Sequence, residues 1–270
     1  MNDNYHSVSG TNKNIITVSG LSIGYTIKNT TTVIAENINL NLKKGKLIAL
    51  VGENGIGKST LLKTITGIQQ PIAGTVFLDN KAITDYTPLA LAQKLSLVLT
   101  EKLPLSNLNV YELIALGRQP YTNWIGKLTA TDLIKINEAV QLTQIEPLLD
   151  KKHYQISDGQ LQKVLVARAL AQDTPVIILD EPTTHLDLKH KVALFKLLKK
   201  LSQETQKCIL FSTHDIDLAI QLCDEIIVMT PEKTVQDEPC NLIANGVFDS
   251  LFNDESIVFD NEKGKFVIKN

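Results

Sequence analysis

The sequence predicts an α/β fold with a largely parallel sheet, and three observations indicate it. Continuous apolar runs at residues 47–51, 175–180 and 207–212 are typical of strands that are buried on both faces. A helical pattern over residues 188–201 separates the last two runs, and strands that alternate with helices favour a parallel sheet. A glycine-rich loop follows the first run and leads into a predicted helix at 59–65. The first run, the loop and this helix therefore form one strand–loop–helix unit.

The segment before this unit is predicted to be rich in strands. Residues 15–26 and 33–42 carry alternating or continuous apolar stretches, and the polar residues 28–32 between them indicate a turn. The first fourteen residues are rich in Asn, Ser, Gly and Thr and lack the apolar core of a secretory signal. They are interpreted as a mobile tail, 1–14, that precedes a β-rich N-terminal lobe.

The segment after the unit is predicted to contain an inserted helical subdomain. Further strands are expected at 74–79 and 94–99. From Asn109 onward, apolar residues recur at helical spacing as far as about residue 171. The helical subdomain is therefore placed at about 103–172 within a single domain that covers 15–240. Residues 241–270 are interpreted as a small α/β appendage at the C-terminus.

The composition limits the classes of partner. The chain of 270 residues has 27 Lys and Arg against 29 Asp and Glu, a formal net charge of −2, so no nucleic acid partner is expected. Its three cysteines form no C-x-x-C pair, which argues against a zinc site and against a disulfide framework. No apolar run approaches the roughly 18 residues that cross a bilayer. Contact with a membrane is therefore expected to go through a partner protein.

The glycine-rich loop matches the phosphate-binding pattern G-x-x-x-x-G-K-[ST] at every fixed position. Such a loop directs backbone N–H groups towards an anion at a helix N-terminus, and its lysine, Lys58, contacts the β and γ phosphates. The hydroxyl of Ser59 is the expected ligand of Mg²⁺. An ordinary glycine-rich turn is the alternative, but the strand and the helix around the loop favour a nucleoside triphosphate site. Its predicted residues are Gly52, Glu53, Asn54, Gly55, Ile56, Gly57, Lys58, Ser59 and Thr60.

Polar residues follow the second and third buried runs, at the edge where open α/β sheets bind ligands. Asp180 is predicted to bind Mg²⁺ directly or through water. Glu181 is placed to accept a proton from the water that attacks the γ-phosphate. His214 is predicted to donate to the γ-phosphate, and a solvated histidine beside a helix cap is the alternative. Two acids after a strand also occur in ordinary turns, but the phosphate loop favours catalysis.

The fragment Ser-Asp-Gly-Gln at 157–160 is the most informative of the remaining motifs. Taken alone, Ser157 and Gln160 form a capping box before a helix predicted at 161–172. The phosphate loop, this fragment, the acid pair, Thr-His-Leu-Asp at 184–187 and the final histidine follow one another in the order of a known family. The chain resembles the nucleotide-binding subunits of ATP-binding cassette (ABC) transporters over roughly residues 15–240. The resemblance implies a P-loop cassette fold, with ATP as the nucleotide and Mg²⁺ as its metal.

The resemblance also implies roles for residues outside the phosphate loop. Tyr25 matches the aromatic residue that stacks on adenine, and a strand aromatic facing the core is the alternative. Ser157, Gly159 and Gln160 match the signature that reaches the γ-phosphate of ATP held by another subunit, so a head-to-tail homodimer is expected. Asp187 matches an acid that communicates between the two sites, and it is also a candidate N-cap of the next helix.

Two positions depart from the family pattern. The usual signature has glycine at position 158, where this chain has Asp158, whose carboxylate is expected to point away from the phosphates. The strand at 94–99 is usually followed by a glutamine that contacts Mg²⁺, and this chain has Thr100 and Glu101 there. Thr100 is therefore predicted to reach the metal through a coordinated water, and Glu101 is the alternative contact.

Residues 108–118, with Pro120, Tyr121 and Trp124, resemble the branch of the family that serves importers of iron–siderophore complexes, haem or cobalamin. The resemblance implies an ATPase at the cytoplasmic face of the cell membrane, bound peripherally to transmembrane permease subunits that work with a separate substrate-binding protein. Packing within the insert is the alternative role for Tyr121 and Trp124. Two other functions stay open: a soluble ABC ATPase in repair or translation, and a regulatory nucleotide-binding module that hydrolyses ATP weakly.

Overall fold

A computed structural model describes residues 14–28, 30–99, 106–251, 257–260 and 264–268. Its strands are β1 (Asn14–Ile27), β2 (Thr30–Lys43), β3 (Leu47–Gly52), β4 (Ala73–Leu78), β5 (Lys81–Ala82), β6 (Leu95–Val98), β7 (Val176–Leu179), β8 (Cys208–Ser212), β9 (Glu225–Met229), β10 (Thr234–Asp237), β11 (Ile257–Asp260) and β12 (Lys265–Ile268). Its α-helices are α1 (Lys58–Ile65), α2 (Pro88–Ala92), α3 (Val110–Ala115), α4 (Ala130–Thr143), α5 (Asp158–Ala171), α6 (Leu188–Thr205), α7 (Ile216–Leu222) and α8 (Pro239–Ala244). Short 3₁₀ turns connect several of them.

The central sheet has six strands in the order β10-β9-β3-β8-β7-β6. All neighbouring pairs are parallel except β10 with β9. Strand β3 is buried at every residue, and its side chains alternate between two hydrophobic cores. Leu47, Ala49 and Val51 face one core, whereas Ile48 and Leu50 face the other. The sheet is therefore covered on both faces, which is why its strands read as continuous apolar runs, and the predicted parallel core is confirmed.

The N-terminal lobe is an antiparallel sheet in the order β2-β1-β4-β5. Its first two strands are longer than the sequence indicated, because Thr30, Thr31 and Thr32 pair with the end of β1 instead of forming the predicted turn at 28–32. Threonine is β-branched and favours extended backbone, so a polar threonine run belongs in an exposed strand as readily as in a turn. The prediction of a β-rich lobe is confirmed, and the predicted length of the turn is wrong.

Helices α3, α4 and α5 follow one another between β6 and β7, as the helical spacing predicted. Helix α5 begins at Asp158, three residues before the predicted start, because Ser157 and Gln160 form a capping box. The Ser157 hydroxyl accepts from the Gln160 N–H at 3.3 Å, and the Gln160 side chain accepts from the Ser157 N–H at 3.0 Å. Helix α6 runs to Thr205, four residues beyond the predicted end at 201.

A buried ion pair connects the segment after α3 with helices α4 and α5. Nε of Arg118 donates to Oδ1 of Asp132 at 2.8 Å, and the two side chains are only 5% and 2% exposed. The Arg118 guanidinium also donates to the carbonyl of Ala171 at the end of α5 and lies 3.9 Å from the ring centroid of Tyr121. Burial opposes ionisation of Asp132, but hydrogen bonds from Thr129 and the Arg118 charge hold its pKa below the ordinary value.

The described part of the C-terminal segment packs on the cassette. Phe248 and Phe259 stack with ring centroids 5.0 Å apart, and both belong to the core on one face of the central sheet. The predicted boundary between residues 240 and 241 falls within α8, and the domain boundaries remain predictions. Across the described ranges, no helix combines the length and the apolar character that crossing a membrane requires.

The Arg118–Asp132 pair gives a prediction about stability. Asp132→Ala leaves the Arg118 charge buried without its partner, so the free energy of unfolding should fall by about 3–5 kcal/mol. The exposed pair of Lys200 and Glu204 on α6, 3.8 Å apart, supplies the control, because Glu204→Ala should cost less than about 0.5 kcal/mol. Urea unfolding of both variants measures the difference. Equal losses for the two would contradict a stabilising role for the buried pair.

Candidate functional site

The candidate site lies where parallel strands β3, β7 and β8 end. Leu50 pairs with Ser212 and Leu179 pairs with Phe211, so the three carboxyl ends are aligned across the sheet. The residues that follow these ends are the phosphate loop, Asp180 with Glu181, and Thr213 with His214. Segments far apart in sequence therefore meet at one edge, as expected for ligand sites in open α/β sheets.

The phosphate loop is arranged to receive an anion. Gly57 has φ 109°, a backbone angle that side-chain-bearing residues rarely adopt, and it begins α1 without any side-chain cap. The N–H groups of the first turn are thus left for a ligand or for water. Nζ of Lys58 donates to the carbonyls of Gly52 at 2.9 Å and Glu53 at 3.0 Å, which places the ammonium inside the loop.

Lys58 is buried, and this has an electrostatic consequence. Desolvation lowers the pKa of its ammonium, while the nearby carboxylates of Glu181 and Asp180 act in the opposite direction. The cation and the two acids therefore form one coupled cluster in a partly dehydrated pocket. Charge interactions are stronger there than in bulk water.

Asp180 is the point where three chain segments meet. Its Oδ1 accepts a hydrogen bond from the hydroxyl of Ser59 at 3.2 Å and another from the hydroxyl of Ser212 at 2.7 Å. The aspartate itself is 8% exposed, and its N–H donates to the carbonyl of Val98 on β6. Ser59 and Asp180, two of the three residues predicted at the Mg²⁺ site, are thus brought into direct contact.

Glu181 is held on both sides of its carboxylate. Its Oε1 lies 2.8 Å from Nε2 of His214, and its Oε2 accepts from the hydroxyl of Thr184 at 3.2 Å. The backbone of Glu181 has φ 45°, an unfavourable angle for a residue with a side chain, and its N–H donates to the Ser212 hydroxyl at 2.8 Å. A backbone angle of this kind persists only where the surroundings enforce it, and it is typical of functional sites.

The sequence marked Thr184 only as part of the motif at 184–187, without a role of its own, and it did not indicate Ser212 as a site residue. Ser212 donates to Asp180 and accepts from Glu181, and so it contacts both acids at once. The available signal was its place at the end of a strand that neighbours the strand of the acids. Local sequence patterns do not specify strand order. That β8, which ends at Ser212, neighbours β7 is therefore known only from the fold.

Tyr25 lies on the exposed part of β1, not in the core, and its side chain is 48% exposed. Its hydroxyl is 2.5 Å from Oγ1 of Thr60, next to the phosphate loop. An open cleft of about 620 Å³ borders the ring and includes Ile68 and Gln69 in its walls. The interpretation of Tyr25 as a core aromatic is therefore wrong, and stacking on adenine stays a prediction.

The signature residues form a separate group. Ser157 and Gln160 bond to each other, and neither they nor Gly159 make a hydrogen bond to the phosphate loop within the described residues. Asp158 is exposed at the first position of α5, where its carboxylate lies at the favourable end of the helix dipole.

Asp187 caps α6 by accepting from the N–H of His190 at 2.8 Å, as expected for an N-cap. Thr100 and Glu101 lie outside the described residues.

Comparison with known families identifies the chain. The model described as "ABC transporter" matches residues 35–184, more than half of the sequence, so the chain belongs to this family. A second model, described as an AAA domain of a putative AbiEii toxin in a type IV toxin–antitoxin system, matches the shorter stretch 150–220. The predicted family and the predicted fold class are confirmed. The chain is an ATP-binding ATPase subunit of this family.

Individual relatives agree with this assignment. An uncharacterized ABC transporter ATP-binding protein of Methanocaldococcus jannaschii is 38% identical over 95% of this chain and 87% of its own length. The achromobactin transport ATP-binding protein of Dickeya dadantii is 34% identical, covering 88% and 87%. The iron(3+)-hydroxamate import ATP-binding protein of Bacillus subtilis is 36% identical, covering 80% and 79%.

Solved structures show the same cassette. CbiO1 of Clostridium perfringens, part of an ABC transporter complex, has a TM-score of 0.76 and 32% identity, covering 87% of this chain and 92% of that one. A dimeric ATP-binding cassette in a post-hydrolysis state, bound to ADP and Pi, has a TM-score of 0.70 and 28% identity, covering 83% and 98%. Both neighbours are more than a quarter identical to this chain and extend over most of it.

The position of Ser212 gives a prediction about turnover. Ser212→Ala removes one donor to Asp180 and leaves the Glu181 N–H without its acceptor, so we expect ATP turnover to fall about tenfold through misplaced acids. Nucleotide affinity should change little, because the phosphate loop keeps its own contacts. Steady-state phosphate release and titration with a fluorescent ATP analogue measure the two effects. Ser202→Ala is the control, since that buried hydroxyl donates to the carbonyl of Lys199 within α6, away from the candidate site. A similar loss in both variants would contradict the assignment.

Proposed function

We propose that this chain hydrolyses ATP to drive a membrane importer of iron chelates, such as iron–siderophore complexes, with haem or cobalamin as related cargo. The observation that carries the hydrolytic part is the contact of Glu181 with His214 at the sheet edge that also holds Lys58 and Asp180. A base, a cation and a candidate metal ligand converge beside the phosphate loop. The names of the relatives support the importing part.

The proposed reaction is attack of water on the γ-phosphate of ATP. Glu181 takes the proton of the attacking water, and His214, one of its two present partners beside Thr184, gives way to that water. His214 then turns its imidazole towards the γ-phosphate oxygens. Lys58 leaves the loop carbonyls for the β and γ phosphates. The protein forms no covalent bond to the phosphate in such a reaction. It accelerates the reaction mainly by positioning the reactants and by stabilising the charge of the transition state.

The residues present fit a magnesium ion beside the nucleotide. Mg²⁺ prefers oxygen ligands in octahedral geometry at 2.0–2.1 Å, so two neighbouring ligands lie about 2.9 Å apart. Oγ of Ser59 and Oδ1 of Asp180 are 3.2 Å apart, close to this spacing. When bound, Mg²⁺ neutralises developing charge on the β- and γ-phosphate oxygens. Thr100 is proposed as an additional contact through water.

The proposed working form is a head-to-tail homodimer. Ser157, Gly159 and Gln160 make no hydrogen bond to the phosphate loop of their own chain in the described ranges, so a second copy is needed to bring a signature to the γ-phosphate. The dimeric neighbour with ADP and Pi supports this assembly. Tyr25 would stack on adenine at the other end of the same nucleotide.

The proposed partners are permease subunits with a separate substrate-binding protein, and the proposed location is peripheral, at the cytoplasmic face of the membrane. The helical region offers a contact surface, since Trp124 is 93% exposed and Ile125 is 69% exposed. A tryptophan this exposed does not pack the insert, whereas Tyr121 lies under the Arg118 guanidinium. Exposed aromatic side chains are frequent at protein interfaces.

A test of the catalytic proposal uses Glu181→Gln. Glutamine keeps the shape of the side chain but cannot accept the proton, so turnover should fall by about 10²-fold or more while ATP affinity is retained. Unhydrolysed ATP should then stabilise a dimer that elutes early in size-exclusion chromatography with ATP and Mg²⁺. Glu204→Gln, on the exposed face of α6, should behave as the parent does. Parental turnover in Glu181→Gln would remove this residue from the mechanism.

A test of the importing proposal uses cells in which the gene is deleted. Uptake of a labelled ferric siderophore under iron limitation should fall, Glu204→Gln should restore it, and Glu181→Gln should not. The tagged protein should also copurify a multi-span membrane protein that stimulates its ATPase activity. Unchanged uptake together with an absence of any membrane partner after crosslinking would favour a soluble ABC ATPase.

A further inference from the structure

His190 connects the signature at residues 157–160 with the segment at residues 184–187. It lies in the first turn of α6, and its ring stands against Gly159 near the start of α5. A β-carbon placed on Gly159 would lie 2.9 Å from Cδ2 and 3.3 Å from Cγ of this ring. Such distances are shorter than van der Waals contact, so the ring fits only because residue 159 has no side chain.

The orientation of the His190 ring is fixed from its other side. Nδ1 lies 2.7 Å from Oδ1 of Asp187, and the backbone N–H of His190 donates to the same oxygen at 2.8 Å. The backbone and side-chain hydrogen bonds from His190 hold the pKa of Asp187 below its ordinary value, so the carboxylate is ionised near neutral pH and Nδ1 is the donor. The histidine thus bonds to Asp187 and covers Gly159 at the same time.

The first turn of α6 also contacts the catalytic edge. Nζ of Lys191 bonds to Oδ1 of Asp215 at 2.7 Å, and Asp215 directly follows His214 in the chain. The other oxygen of Asp215 accepts from the hydroxyl of Thr183 at 2.9 Å, two residues after Glu181. The first turn of α6 therefore makes two contacts. Lys191 bonds to Asp215, which follows His214, and His190 packs against Gly159 of the signature.

We propose that His190 is a positioning residue that fixes the signature glycine, Gly159, relative to Asp187. The inference rests on the proposed function, because the signature and Asp187 act on ATP bound by a second copy. With the ring in place, one protomer presents both segments to its partner's nucleotide as a single surface. Without it, Gly159 and Asp187 move independently, and closure of the dimer around ATP becomes less accurate.

The test compares variants of His190 in the full-length chain. His190→Ala removes the ring and the donor, so kcat should fall about tenfold while KM and the affinity of the monomer for a fluorescent ATP analogue stay unchanged. His190→Asn keeps an N–H donor near the position of Nδ1 and should stay within about twofold of the parent. Lys189→Ala is the matched control, because Lys189 is the exposed neighbour on the same turn and makes no ion pair among the described residues.

A second readout follows dimer formation without catalysis. In the Glu181→Gln background, adding His190→Ala should lower the fraction of ATP-dependent dimer, whereas adding Lys189→Ala should not. A Gly159→Ala substitution should impair turnover through the clash with the ring, and part of this loss should disappear when His190→Ala is combined with it. This cycle remains informative if His190→Ala also lowers the melting temperature.

Three outcomes would overturn the inference: equal kcat in His190→Ala and Lys189→Ala, an Asn variant as impaired as the Ala variant, or strictly additive losses in the Gly159 cycle. Each of them leaves ATP hydrolysis by the parent intact, so the proposed function survives them. A parent protein that shows no turnover with ATP and Mg²⁺ overturns the proposed function itself and this inference with it.

Discussion

The two hydrogen bonds that Asp180 accepts, from Ser59 and from Ser212, hold the site together. They join the phosphate loop, the end of β7 and the end of β8, three segments separated by more than a hundred residues at the extremes. A carboxylate that is buried to this extent needs such donors, since an unpartnered charge in the interior is very costly. The same donors aim its oxygen at the place where the metal and the β and γ phosphates of ATP are expected. The hydrogen bonds that stabilise the buried Asp180 carboxylate thus also fix the geometry of the candidate site at the ends of β3, β7 and β8.

Lys58 and Glu181 are the charged side chains whose present partners an anionic nucleotide is proposed to replace. Lys58 donates to loop carbonyls and Glu181 is bonded to His214, so each of these two charged side chains has an internal partner. Triphosphate offers stronger partners for the cation and the histidine. In the proposed mechanism, binding of the triphosphate would free Glu181 for water, and occupancy of the site would then be linked to readiness for hydrolysis.

The signature at residues 157–160 makes no hydrogen bond to the phosphate loop of its own chain within the described residues, and this supports the proposal that two copies share each nucleotide. The capping box holds residues 157–160 in shape without nucleotide, because its two hydrogen bonds are internal to α5. In the proposed dimer, the N-terminal end of α5 would face a phosphate bound by the other subunit, and the helix dipole would favour this contact.

The sequence alone determined the features that local pattern encodes. The phosphate loop, the capping box at Ser157, the N-cap at Asp187 and the buried strands were all predictable, because each depends on residues a few positions apart. The tertiary structure decided which strand ends meet, and with them the roles of Ser212 and Thr184. It also decided the pairing of Arg118 with Asp132 and the contact of His190 with Gly159. Strand order and helix packing follow from burying apolar surface over the whole chain, and no local pattern records them.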